Sequence, residues 1–135
     1  MKRHAPVPIR DDQFFWEGVA AGELRLQRCA SCGKQRHPPG PMCPFCHSLK
    51  FDIVRASGRG VVYSYVIPRH PPLPPSEEAP IVILVELEEG ARLVSNLCGV
   101  APAAVRNCMP VEVLFTEFEG GVRLHQFRPA AARST

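Results

Sequence analysis

Apolar side chains first recur at a helical period. Asp11 and Asp12 place acids and a capping side chain at a start, and Phe14, Phe15, Gly18, Val19 and Leu24 then follow near the 3.6-residue spacing up to Gly22. The pattern predicts a short amphipathic helix preceded by a loose, basic arm that carries Pro6 and Pro8. The trio Phe14-Phe15-Trp16 is more aromatic surface than one stripe of so short a helix needs. Part of it is expected to dock on the rest of the chain or to face another protein, so Phe14, Phe15 and Trp16 are candidate partner contacts.

After Ala56 the period changes from helical to two. Val61-Val-Tyr-Ser-Tyr-Val66 alternates, with Val61, Tyr63 and Tyr65 on one face and Val62, Ser64 and Val66 on the other, and the whole run from Gly60 to Ile67 reads as a strand. Pro68 to Pro80 is too rich in proline to join a ladder and reads as a long, exposed hairpin loop. Further strands are predicted at Ile81 to Leu87, Arg92 to Cys98, Val111 to Phe118 and Val122 to Phe127, with a tight turn at Glu88-Glu-Gly90. Between the third and fourth strands, Ala101 to Arg106 reads as one or two helical turns with proline near the start. Five strands with one short helix in that position is the order of an OB-fold, a partly open Greek-key barrel.

Residues 24 to 54 fit neither period. Pro38, Pro39, Gly40, Pro41 and Pro44 rule out long helices and central strands, so something other than a core must organise them. Cys29-Ala-Ser-Cys32-Gly33 and Cys43-Pro-Phe-Cys46 supply it: two C-x-x-C knuckles, each presenting two thiolates from one turn, complete a tetrahedral site. One structural zinc ion on Cys29, Cys32, Cys43 and Cys46 is the expectation, and the spacing alone also suits a rubredoxin-like iron. Zinc binding to finger-type peptides is worth about 10–16 kcal/mol, ample for a stretch with little core. His37 and His47 stand nearby and are read as solvated or supporting side chains, since four thiolates already satisfy the ion. Cys98 and Cys108, among apolar residues, are read as small buried hydrophobes. The expected organisation is a mainly β chain: arm and helix over 1–23, zinc ribbon over 24–56, barrel over 57–129 and a fraying tail over 130–135.

The totals narrow the function classes. With 135 residues there is room for one domain or two small ones, and 45% hydrophobic content fills a modest core. The formal charge is only +3, from 16 basic and 13 acidic residues, which does not single out a nucleic-acid footprint. The longest apolar stretch, Ile81 to Val85, falls far short of a membrane span, and the start lacks the apolar run of a secretory signal, so a soluble, cytoplasmic protein is expected. No nucleophile and base stand in a recognisable pattern and there is no phosphate loop, so an autonomous active site is not expected.

The order of helix, four-cysteine ribbon and five-stranded barrel resembles the zinc-ribbon and OB-fold family associated with acyl-CoA enzymes. The matching residues are Phe15-Trp16-x-Gly18, Gly22-x-Leu24, Cys29-x-x-Cys32-Gly33, Pro39 and Cys43-Pro44-x-Cys46. They continue in the barrel as Gly58-x-Gly60-x-Val62-Tyr63-Ser64-Tyr65, Val85-Glu86-Leu87, Leu93 to Leu97, Met109-Pro110-Val111-x-Val113 and Phe127-Arg128-Pro129. The resemblance implies a non-catalytic accessory chain that supports a thiolase-like, ketoacyl-synthase-like, aldolase or hydratase partner. Arg25, Arg28, Lys34 and Arg36 are then candidates to face the phosphates of coenzyme A, against the plainer reading of solvated charge. The rival from another class is a single-stranded nucleic-acid binder, with Tyr63 and Tyr65 stacking bases, although these tyrosines are as readily core.

Overall fold

The computed structural model describes residues 3–74 and 79–130. The middle of the proline loop and the tail after Ala130 lie outside the described residues. Helix α1 spans Gln13–Ala20 and turns Phe15, Gly18 and Val19 inward. Asp12 does not cap it with its side chain, which instead accepts a hydrogen bond from the Ile9 N–H. The helix stops where Gly22 takes φ +79°, which lets the Gly22 N–H reach the Val19 carbonyl and the Glu23 N–H reach the Gly18 carbonyl. This paired closure needs a left-handed residue, which glycine adopts without steric cost.

The ribbon contributes β1 (Arg25–Cys29), β2 (Gln35–Arg36) and β3 (Phe51–Arg55), antiparallel in the order β2-β1-β3. The barrel contributes β4 (Arg59–Val66), β5 (Val82–Leu87), β6 (Arg92–Asn96), β7 (Pro110–Phe118) and β8 (Val122–Pro129), in the order β6-β5-β4-β7-β8. A parallel bridge between Leu97 and Phe127 brings the end of the third barrel strand to the fifth and nearly closes the sheet on itself. Alternation in β5 and β6 is clean: Ile83, Val85, Leu87 and Leu93 are buried while their neighbours are more open. Leu24, Leu26 and Ala56 of the ribbon and Phe15 and Val19 of α1 belong to the same apolar cluster as the barrel's Val62, Val85, Val111 and Phe127. The modules therefore share one core.

Several expectations are corrected here. In β4 the register with β5 shifts between Val62 and Ser64, and this bulge breaks the predicted alternation by pairing Tyr65, in place of Ser64, with Ile83; Val62 is fully buried, and Tyr63 and Tyr65 are both exposed rather than core. The expected helix at 101–106 is a single 3₁₀ turn, Pro102–Ala104, because Ala101 and Val105 on either side are extended. Cys98 is only half-buried and its thiol donates to the Gln126 side-chain oxygen, and Cys108 is exposed in a turn at φ +67°. The arm is tied to the barrel where the Arg3 guanidinium donates to Asn96 and lies over the Phe118 ring. Among the described residues no helix is long and apolar enough to cross a membrane.

Gly60 sits where β4 runs tight against β5, and a Cβ there would run into the Glu86 carbonyl and the Val85 side chain. Gly60→Ala should lower stability by about 1–3 kcal/mol, the usual cost of overpacking. A leftward shift of the urea midpoint at constant slope would report it, and an unchanged midpoint would mean that β4 can move aside.

Candidate functional site

The two knuckles are built alike. In the first, the Cys29 N–H donates to the Lys34 carbonyl and the Gly33 N–H to the Cys29 carbonyl; in the second, the Cys43 N–H donates to the Ser48 carbonyl and the His47 N–H to the Cys43 carbonyl. His47 therefore occupies the place of Gly33, and both have positive φ, +63° and +77°. Beyond the repeated C-x-x-C, nothing in the residues marks this equivalence. His47 is exposed, as the reading of it as a solvated side chain requires.

Between the knuckles the four sulfurs converge. Cys29 Sγ lies 3.5 Å from Cys46 Sγ, Cys32 Sγ lies 3.6 Å from Cys43 Sγ, and all four ligand atoms fall within 4.8 Å of one another. Tetrahedral zinc with Zn–S bonds of about 2.3 Å places sulfurs about 3.8 Å apart, so the cluster fits the ion. The electrostatics point the same way. The Cys32 N–H, aimed at Cys29 Sγ, is the main reason that the pKa of this thiol is lowered to about 6, and the Cys46 N–H does the same in direction for Cys43. Cys46 meets the opposite fate: against the pull of the Ser48 N–H, its sulfur neighbours, Cys29 foremost, and desolvation push it up to about 11. Four thiolates so close cannot all ionise without a cation among them, and a dication resolves the conflict. The ion is one structural zinc, held by four protein ligands, and its contribution is to the fold.

The other candidates separate. Arg25 and Arg28 fall on opposite faces of β1, since side chains alternate along a strand. Arg25 pairs with Glu23 at 3.0 Å and Arg28 with Asp52 at 3.6 Å, while Arg36 donates to the Gly40 carbonyl and Lys34 lies over the Phe45 ring at 3.9 Å. The structure does not gather the four into one phosphate cradle. In α1, Phe15 is buried in the shared core and so is not presented to a partner, whereas Phe14 and Trp16 are half-buried at its edge.

Sequence reasoning missed the junction around Phe15. Its ring lies 4.9 Å from His37 of the ribbon, 5.2 Å from His125 of β8 and 5.0 Å from Trp16, so one phenyl ring touches all three parts of the chain. His37 is thus packed, not solvated. Desolvation first, and the neighbouring His125 second, lower the pKa of His37 to about 4; desolvation also lowers that of His125, against its bond to the Val94 carbonyl. A cleft of about 460 Å³ opens beside these rings, with Asp12, Leu84 and Arg92 on its walls. No motif marks this cluster, because its members come from residues 15, 37 and 125 and only folding joins them.

Two outcomes are expected. Cys43→Ser should lose zinc and ordered ribbon structure together, read by metal analysis and circular dichroism; a folded, metal-free variant would show that the ion is dispensable. His37, with its folded value near 4 and an ordinary value near 6.5, stays neutral in the fold, so its contribution to stability is complete above about pH 6.5 and is lost as pH falls toward 4. The folding equilibrium should drop by up to about tenfold per pH unit in that window through this group. Urea titrations of His37→Gln should show a shallower acid loss than the parent, the thiolate contribution being common to both. Equal slopes would contradict the shift.

The comparisons agree with this architecture. Residues 16–52 match the family model described as ChsH2, rubredoxin-like zinc ribbon domain, and residues 53–116 match ChsH2, C-terminal OB-fold domain. A probable enoyl-CoA hydratase alpha subunit of Thermomonospora curvata is 47% identical over 128 residues, which are 95% of this chain and 40% of that protein. This chain thus spans about two fifths of that relative's length. A DUF35 domain-containing scaffold protein of Methanothermobacter thermautotrophicus is 33% identical over 111 residues, covering 78% of this chain and 84% of the relative. Among solved structures, a chain of the "Ltp2-ChsH2(DUF35) aldolase" superposes with a TM-score of 0.85 at 47% identity, over 93% of this chain and 99% of that one.

Proposed function

This chain belongs to the DUF35 family of ChsH2-type zinc-ribbon and OB-fold proteins, and from that premise we propose that it is a non-catalytic accessory subunit that binds and supports an acyl-CoA-processing enzyme. The observation that carries the reading is the likeness to a chain of the Ltp2-ChsH2(DUF35) aldolase over 99% of that chain. The site chemistry supports it. A zinc ion with four thiolate ligands keeps no open position for water or substrate, so the metal holds a shape and does not activate a nucleophile. The histidines at the junction pack their rings against Phe15, a role that fastens modules together, and the Nδ1 atom of each is buried without a hydrogen-bond partner among the described residues. The partner is an aldolase, thiolase-like or hydratase-type enzyme, and catalysis resides there.

A second reading keeps the exposed Tyr63 and Tyr65 as a stacking platform for single-stranded nucleic acid. Arg92 already covers the Tyr63 ring at 3.8 Å and is itself paired with Glu86, which weakens that platform. Oligonucleotide binding that was tight and fell steeply with salt would favour it.

Capture of the tagged, zinc-loaded chain from its native cells should retain one acyl-CoA enzyme in stoichiometric amount. Retention of nucleic acid and its binding proteins, with no such enzyme, would sink the accessory reading. Phe14→Ala with Trp16→Ala should weaken retention by at least about tenfold while lowering the melting temperature only slightly. Parallel losses of both would place these side chains in the core.

A further inference from the structure

We infer that the ribbon itself is a docking surface, for a folded protein whose contact face is apolar at its centre and rich in carboxylates at its rim; this rests on the accessory role proposed above and names the face that serves it. Phe45, Leu49 and Ile53 are 61%, 70% and 49% exposed, and Met42 and Phe51 join them on the same small module. Phe51 and Ile53, two residues apart, share one face of β3, and the Phe14 ring lies 6.1 Å from that of Phe51. Single apolar side chains scattered on a surface are ordinary; here five of them fall within twelve residues of one small module, Phe51 and Ile53 on one strand face. Zinc explains how they can stand there. A core is what normally recruits such residues, and the metal holds this segment without one.

The strand that carries two of them has an open edge. β3 pairs with β1 on one side only, so its other row of backbone donors and acceptors faces outward, and the strand lies at the margin of the three-stranded sheet. Charge specifies what covers it. Residues 24–56 hold six basic side chains against one acid, Asp52, and even after the −2 of a zinc ion with four thiolates the ribbon keeps an excess of positive charge. Among the described residues neither Lys34 nor Lys50 has a carboxylate partner, and Lys34 borders the patch over the Phe45 ring. Two copies of so positive a face would repel one another across a two-fold axis. Nucleic acid would meet the charge but would find aliphatic Leu49, Met42 and Ile53 where stacking rings are needed. An apolar protein surface with acidic margins satisfies both features, in the arrangement of interfaces generally.

The test uses the full zinc-loaded chain with p-benzoylphenylalanine in place of Phe45, of Ile53 or, as a control on the barrel, of Tyr65, irradiated in native cells. The expected result is an adduct from positions 45 and 53, and not from 65, with the enzyme that the tagged chain retains. Lys34→Glu with Lys50→Glu should keep its zinc and weaken retention at least about tenfold. Wild-type retention by that variant, with adducts only from position 65, would overturn this surface and leave the accessory role standing. Adducts with a second copy or with nucleic acid would overturn it as well. If no enzyme is retained, the accessory role itself fails. Charge-sensitive adducts from 45 and 53 to an identified acidic protein would then still support the surface, and their absence would end it.

Discussion

Four sulfurs within 4.8 Å of one another set the terms for everything amino-terminal to the barrel. Without a cation their ionisation is frustrated, with Cys29 drawn down by the Cys32 N–H and Cys46 driven up despite the Ser48 N–H. With zinc among them, the two knuckles and the short strands that lead into them hold one geometry. Binding worth about 10–16 kcal/mol is comparable to the whole net stability of a small domain, so the segment is ordered by its metal before it is ordered by packing.

That order is passed to the barrel through few contacts. Leu24 and Leu26 extend the barrel core into the ribbon, the Ala56 N–H reaches back to the Leu24 carbonyl, and Arg123 of β8 donates to the Ala20 carbonyl at the end of α1. At the centre of the junction Phe15 lies between an imidazole from each module. Both imidazoles are desolvated and favour their neutral forms, which couples the packing of the helix to pH.

The division of labour follows from these constraints. The metal is closed and the core is filled by side chains, so beside the cleft at the junction what the molecule offers to others is its outer surface. The ribbon offers most: apolar residues that no core has claimed, a free strand edge and an excess of positive charge. A chain built in this way is suited to binding another protein, in keeping with relatives described as a hydratase subunit, a scaffold protein and part of an aldolase.

Features that depend on local pattern were legible in the residues alone. Two C-x-x-C pairs define a metal site because four ligands at that spacing have few other uses, and period-two alternation located all five barrel strands to within a few residues. Features that depend on meetings across the chain were not. The bulge that separates Tyr63 from Tyr65, pairing Tyr65 with Ile83, arises from the register of β4 against β5, which no single strand encodes. Arg25 and Arg28 look like neighbours in a cluster until the strand sends them to opposite faces, and Phe15 looks like its neighbour Phe14 until two histidines from distant segments close around it. The zinc ligands and the succession of elements can be read from the residues, because each rests on short-range spacing. Which aromatic residues are core and which are surface emerges in the folded chain, because burial depends on where remote segments come to rest.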